Sequence, residues 1–339
     1  MKNIVFMVNT EYHLLMTIGI VRKYYQEGYN IYVYLVSPID GTRLNRLDFS
    51  NSKYFYKRIV YNYSRPDKEL KCQLDNIIKH QPEVFFFFLE NKYWMNYLFK
   101  NLHKNGTKIV LGPDGMKAYS SYKTTFISRV RQFVEGIRFS ILSHIYCAFP
   151  FVEKQYATSK YIDEVWVECE SAYINNTRKK VFEFQISYDN EFVNDLNKLF
   201  YASEKDFALM RGKTILFLDT PFSSKIYYKH TIEILLGFQS LFPDRKLLIK
   251  LHQQSSEVAK KEYERVSDIF YLESKYPAEL FIANAVDCII VSLRSTSLLF
   301  FNPKCKYYWT YPMYKDIVDI SNYVNPTSHI KVINSISEA

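Results

Sequence analysis

Two successive α/β domains, each a doubly wound parallel sheet of the Rossmann kind, are what this sequence predicts. Three observations carry that expectation. Apolar runs of strand length alternate with helix-periodic stretches over the first third of the 339 residues, and the alternation resumes after Gly212. The run Val84-Phe85-Phe86-Phe87-Phe88-Leu89 is apolar throughout, as in strands covered on both faces of a parallel sheet. Between the two series, roughly residues 119–208 keep no such rhythm. Strands alternating with helices build βαβ units and hence parallel sheets.

In the first series, residues 3–8 form an apolar run and residues 12–25 have helical periodicity. Residues 31–36 read as a second strand, 55–61 as a third, 68–79 as a helix, 84–89 as the buried strand, 94–103 as a helix and 108–111 as another strand. The opening MKNIVFMVNTEYHLL carries a charge and an apolar run, but the run breaks at Asn9-Thr10-Glu11 and no small-residue cleavage site follows. It therefore reads as a first strand and not as a signal peptide. In the irregular middle, residues 128–149 read as a basic, aromatic, amphipathic helix carrying Arg129, Arg131 and Arg138. The plainer reading packs that helix on its own domain with solvated arginines; the sharper one rests a face of it on a membrane or a lipid-linked molecule.

The second series runs strand 214–218, helix 228–241, strand 246–251, helix 257–267, strand 270–272, helix 278–285, strand 288–291, a helix beginning at 295–301, and a last strand 306–309. The expected division is residues 1–208 with a helical insert, residues 209–310, and a tail of residues 311–339 packing back on the first domain. No stretch of about 18 apolar residues occurs, so no transmembrane helix is expected.

Composition excludes more than it selects. Tyr 30 and Phe 26 stand against Gly 9, and because Lys, Asn and Ile are abundant too, AT-rich coding explains the aromatic richness. The formal net charge of +9 admits anionic partners. No dense Lys/Arg run and no RNP, helix-turn-helix or zinc-finger pattern points to nucleic acid, so a membrane surface or a phosphorylated ligand fits the charge better. Cys72, Cys147, Cys169, Cys288 and Cys305 are odd in number, scattered and without a CxxC spacing. That usage suits a reducing compartment and not a disulfide or zinc framework.

Ligands of an open parallel sheet sit beyond the carboxyl ends of its strands. In the first series those positions hold Asn9-Thr10-Glu11, Glu90 and Pro113-Asp114-Gly115; in the second they hold Asp219-Thr220, His252-Gln253-Gln254 and Arg294-Ser295-Thr296-Ser297. All are expected to face one interdomain cleft. Asp114 can reach a hydroxyl as general base, although Pro-Asp-Gly is also a common turn. His252 at a strand end can donate to a phosphate oxygen, although a lone histidine is more often structural. The Ser295 to Ser297 hydroxyls at a helix start suit an anion, or simply cap the helix. Glu279 follows Pro277 at a helix start and suits the helix dipole, or accepts from the two hydroxyls of a ribose.

The order of these pieces resembles the bacterial sialyltransferase-like glycosyltransferases, most closely the lipooligosaccharide sialyltransferase family. That group carries an acidic-acidic-Gly motif, a His-Pro motif after a strand, a Pro-x-Glu helix start and a Ser/Thr pair. Here they stand as Pro113-Asp114-Gly115, His252-Gln253, Pro277-Ala278-Glu279 and Ser295-Thr296-Ser297, with Pro113 and Gln253 departing from the pattern.

The resemblance implies a GT-B fold and an inverting transfer of sialic acid, or a related nonulosonic acid, from a CMP-activated donor to a glycan hydroxyl. It implies Asp114 as base, His252 with the Ser295, Thr296 and Ser297 hydroxyls at the donor phosphate, and Thr220 and Glu279 in the donor site. Asn9, Glu11 and Glu90 would lie on the acceptor side, in a first domain that binds the acceptor while the second binds the CMP-sugar. No cofactor and no metal ion are expected, and no DxD motif occurs. The acceptor would be a cell-surface glycan, compatible with a lipid-linked one, and the enzyme cytoplasmic, with peripheral contact to an anionic membrane compatible with the charge. CMP-Kdo or a UDP- or GDP-sugar as donor, a non-catalytic glycan or nucleotide binder, and a nucleic-acid binder are the alternatives.

Overall fold

The computed structural model describes the chain except residues 38–46, 48–53, 55–56, 63–67, 91, 121–124, 147–155, 175–178, 187, 223, 253–254, 256, 267–268, 273–275 and 318–323. Two compact units form, Met1–Ser187 and Tyr188–Ala339.

The strands of the first unit are β1 (Lys2–Val8), β2 (Tyr29–Ser37), β3 (Lys57–Asn62), β4 (Val84–Phe87), β5 (Lys108–Leu111), β6 (Glu164–Val167) and β7 (Lys180–Glu183). They pair in parallel in the order β3-β2-β1-β4-β5-β6-β7. Its helices are α1 (Glu11–Tyr24), α2 (Lys68–Lys79), α3 (Met95–Lys104) and α4 (Phe126–Ser143). Ile4 to Val8 and Phe85 to Phe87 are wholly buried, which is why both segments read as uninterrupted apolar runs. The Phe6 and Phe86 rings stack across the β1–β4 pair with centroids 4.7 Å apart. Strand order reverses direction between β1 and β4, the kind of switch point at which α/β sheets bind ligands.

The second unit opens with α5 (Asn190–Leu199). It continues with β8 (Arg211–Leu218), α6 (Lys225–Leu241), β9 (Lys246–Lys250), α7 (Glu257–Tyr263), β10 (Ile269–Leu272), α8 (Ala278–Asn284), β11 (Val286–Ser292), β12 (Cys305–Trp309) and β13 (Ile330–Val332). The six strands are parallel in the order β10-β9-β8-β11-β12-β13, with the switch point between β8 and β11.

Three expectations need correction. The division falls at 187/188, not at 208/209. α5 buries Phe192, Leu196 and Leu199, and Asn197 and Asn284 exchange side-chain hydrogen bonds of 3.0 and 2.9 Å, tying α5 to α8. The tail belongs to the second unit: β13 extends the second sheet beside β12, and Tyr308 donates to the Ala339 carbonyl at 2.8 Å. Residues 295–301 form no helix beyond a 3-10 turn at Thr296–Leu299. Pro303 disfavours helical backbone at the residue before it, and Asn302 instead turns its amide onto the Ile282 and Ala285 carbonyls. The amphipathic helix expected over 128–149 runs Phe126–Ser143, and Phe149 lies outside the described residues. β6, β7, α5 and β13 had no counterpart in the sequence reading.

Candidate active site

In the first unit the site starts from a helix cap. Thr10 ends the extended segment after β1 and its hydroxyl accepts from the His13 amide at 3.2 Å, the bond expected of a threonine at this position. The cap starts α1 so that His13 falls in its first turn. His13 is fully buried, and its ring stacks on Phe88, centroids 4.8 Å apart and planes 10° from parallel. Nδ1 accepts the Asn9 amide at 3.3 Å, so the ring carries its proton on Nε2, which lies 3.0 Å from Asp114 Oδ1.

Asp114 follows β5, and Gly115 after it has φ +53, in the left-handed region that glycine adopts freely. The other carboxylate oxygen takes the Lys117 ammonium. Burial pushes this carboxyl up, but the His13 hydrogen bond, with Lys117, pulls it below the usual carboxylate value. The side chain keeps 17% of its surface open, so a ligand hydroxyl can reach it. Asn9 Oδ1 is buried without a hydrogen-bond partner among the described residues.

A second carboxyl lies beyond β6. Glu168 accepts from the Tyr12 hydroxyl at 3.3 Å, and burial raises its pKa to about 7. The Tyr119 hydroxyl holds this turn by accepting the Glu168 and Cys169 amides at 2.9 and 3.2 Å. Glu90 is engaged elsewhere: its carboxylate accepts from the Thr158 amide and hydroxyl and the Ser159 amide at 3.0, 3.2 and 2.7 Å, fixing that turn. Glu11 opens α1, and its charge suits the helix start.

In the second unit Asp219 organises the strand ends. Buried at the end of β8, its carboxylate accepts from Ser255 Oγ at 2.6 Å and the Tyr263 hydroxyl at 2.8 Å, and from the Thr220 and His252 amides. Burial raises its pKa. His252 and Ser255 are thereby held to Asp219, while His252 stays exposed; Gln253 and Gln254 lie outside the described residues. Across the switch point, Ser292 Oγ donates to the Leu218 carbonyl and accepts the Ser295 amide, both at 3.0 Å. Ser295 caps the following turn through the Ser297 amide at 3.3 Å, and Thr296 stays half-buried beside it. Ser297 then donates to Glu279 Oε1 at 2.7 Å. Glu279 is buried in the first turn of α8, after Pro277. The third and fourth expected motifs thus touch.

Sequence reasoning missed His13 and Lys117 as partners of Asp114, and missed Glu168. His13 stood inside the helix expected over residues 12–25, and only Thr10, three positions before it, marked a capped helix start.

The sequence matches the model of the alpha-2,8-polysialyltransferase family, POLYST, over residues 39–306. The chain belongs to this family. Membership makes it a glycosyltransferase, with a nucleotide-sugar donor and a glycan acceptor, and bears out the resemblance to bacterial sialyltransferases. A comparison with curated proteins finds no match.

Among solved structures, the chain is similar to the UDP-GlcNAc 2-epimerase of Methanocaldococcus jannaschii in complex with UDP-GlcNAc and UDP. There the TM-score is 0.52 at 11% identity, covering 99% of this chain and 90% of that one. It is similar to the UDP-GlcNAc 2-epimerase of Neisseria meningitidis bound to UDP-GlcNAc, at 0.51 and 11%, over 87% and 78% of the two chains. At such identities the likeness concerns the fold, which for this polysialyltransferase-family chain is of the GT-B class. No helix among its described residues is long and apolar enough to cross a membrane.

Proposed function

We propose that the chain is an inverting glycosyltransferase that moves sialic acid, or a related nonulosonic acid, from a CMP-activated donor to a hydroxyl of a cell-surface glycan. The observation that carries this reading is the Asp114 carboxylate, held ionised between His13 and Lys117 at the end of β5 with a side left open. A carboxylate so placed takes the proton of the acceptor hydroxyl. The freed oxygen attacks the anomeric carbon opposite the leaving phosphate, which inverts that centre. His13 keeps its donor on the carboxylate throughout.

The donor falls to the second unit. As the bond to phosphate breaks, charge grows on the phosphate oxygens, where the exposed His252 and the Ser295, Thr296 and Ser297 hydroxyls can donate. One phosphate carries less charge than two, so imidazole and hydroxyl donors can meet it without a metal ion. Glu279, its plane fixed by Ser297, suits two ribose hydroxyls, and Thr220, at the end of β8, is assigned to the same donor site.

A thermal-shift series with CMP, CDP, UDP and GDP tests the donor, because a ligand of the folded state raises its melting temperature. Stabilisation by CMP, followed by turnover of CMP-sialic acid that needs a glycan acceptor, is the expected result. Stabilisation by UDP or GDP alone would overturn the CMP reading.

A further inference from the structure

The helix α4 is turned inside out. A surface helix of a globular protein buries its apolar stripe, but the buried residues of α4 are Gln132, Gly136 and Ser143. Eight of its large apolar side chains are exposed, Phe126 at 81% and Ile127 at 80%. At 3.6 residues per turn the three buried residues align on one side of the helix, and Phe126, Ile127, Val130, Val134, Ile137 and Ile141 form a band centred on the other, with Phe133 and Leu142 at its edges. Arg131 and Arg138, both exposed, share one flank of that band, and exposed Arg129 borders the opposite flank. Arg131 also bonds Glu135 at 2.9 Å, the lone acid of the helix against three arginines.

We propose that α4 lies flat on an anionic membrane surface, with its apolar band at the acyl boundary and its arginines at the headgroup phosphates. Both halves of that surface are matched: an interfacial helix sinks about 5–10 Å, deep enough for such a band, and its cations meet anionic lipid. A second copy of the chain fits less well. The 18-residue helix is about 27 Å long and about 10 Å across, so its outer face offers roughly a third of the ~800 Å² per partner that a stable interface buries. Two such faces in two-fold contact would also bring arginines against arginines. α4 does not cross the bilayer: no described helix has the length and apolarity.

Flotation of the full chain with vesicles of phosphatidylcholine alone, and of phosphatidylcholine mixed with phosphatidylglycerol, tests the proposal. The wild type is expected to float with the mixed vesicles only, and less as salt is raised. Val134→Asp with Ile137→Asp should abolish flotation while leaving the melting temperature unchanged, since both positions are exposed. If that pair unfolds the chain, Val134→Ser with Ile137→Ser should lose flotation in a folded protein. Arg131→Gln and Arg138→Gln should each weaken binding about fivefold, while Arg138→Lys retains it. A wild type that never floats, folded Asp or Ser double variants that float like wild type, or a wild-type dimer in sedimentation that Ile137→Asp splits would each overturn the proposal, the last in favour of a second copy as occupant.

Discussion

His13 Nε2 lies 3.0 Å from Asp114 Oδ1, although 101 positions separate the residues. The contact lets one residue set the working range of the other. With His13 and Lys117 outweighing burial, Asp114 is ionised down to a pH below the usual carboxylate value. The stability it contributes is therefore present above the unfolded carboxylate pKa and lost as pH falls through the lowered one. As general base it should also place the acid limb of kcat/KM at that lowered value. His13→Phe keeps a ring against Phe88 and removes the donor, so the acid limb should move upward. An unchanged limb in the pH–rate profile would separate His13 from the base.

Asp114→Asn should lose transfer by roughly a hundredfold or more while CMP binding, followed by calorimetry, stays as in wild type. Near-normal turnover in the Asn variant would remove Asp114 from the chemistry.

Gly112 sits where a side chain does not fit. A Cβ there would lie 2.6 Å from the Phe88 ring, the ring on which His13 stacks. Gly112→Ala should cost about 1–3 kcal/mol, the range for overpacking a filled core, and should lower turnover by shifting His13 from Asp114. Denaturant melts check the first outcome and initial rates the second.

Glu168 should make stability depend on pH in the opposite sense to Asp114. Its folded pKa is raised by burial from 4.5 to about 7, so the folded state holds a proton that the unfolded state releases across that window. Its contribution is full below the unfolded value and is lost as pH rises through the folded one. Glu168→Gln should remove that decline, seen as a flatter melting temperature between about pH 4.5 and about 7. Parallel curves for variant and wild type would contradict it.

Glu279 and Ser297 should act together on the nucleotide. Glu279→Gln should weaken CMP by roughly ten- to a few hundredfold if the carboxylate grips ribose, at about 1.5–3 kcal/mol per charged bond. Ser297→Ala should weaken it less, because the carboxylate stays but loses its fixed plane. Wild type should also bind 2′-deoxy-CMP more weakly than CMP. Equal calorimetric affinities for the two nucleotides would reduce Glu279 to a helix-start charge worth about 0.3–1 kcal/mol of stability.

What the sequence revealed follows from which physics is local. The β1, β4 and β8 segments were legible because a strand buried on both faces must be apolar throughout. β6 reads Glu-Val-Trp-Val and β7 reads Lys-Val-Phe-Glu, four residues each with charges at their ends, too short for a period to emerge. Glu164 belongs in β6 because Lys108 and Lys180, from strands β5 and β7, neutralise it at 2.7 and 3.2 Å; that pairing exists only once the sheet forms. The site divides the same way. Asp114, Glu279 and Ser297 stood out because strand ends and helix starts mark them locally. His13 did not, since its role depends on a partner beyond any local window, and Glu90 looked available until the fold brought Thr158 and Ser159 to it.

The parallel topology has a kinetic consequence. No two neighbouring strands in either sheet are joined by a tight hairpin, and the central pairs close long loops: Ile4 sits beside Val84, and Ile215 beside Ile289. Such pairings reward the chain only after the loop entropy has been overcome, which slows folding. The two switch points, where Asn9 and Asp219 lie, are set by these late-closing pairs. A refolding chain should therefore regain helical signal early and nucleotide binding only in its slowest phase, so a mutation that merely delays β8–β11 pairing would resemble a dead enzyme in a short assay and recover on longer incubation.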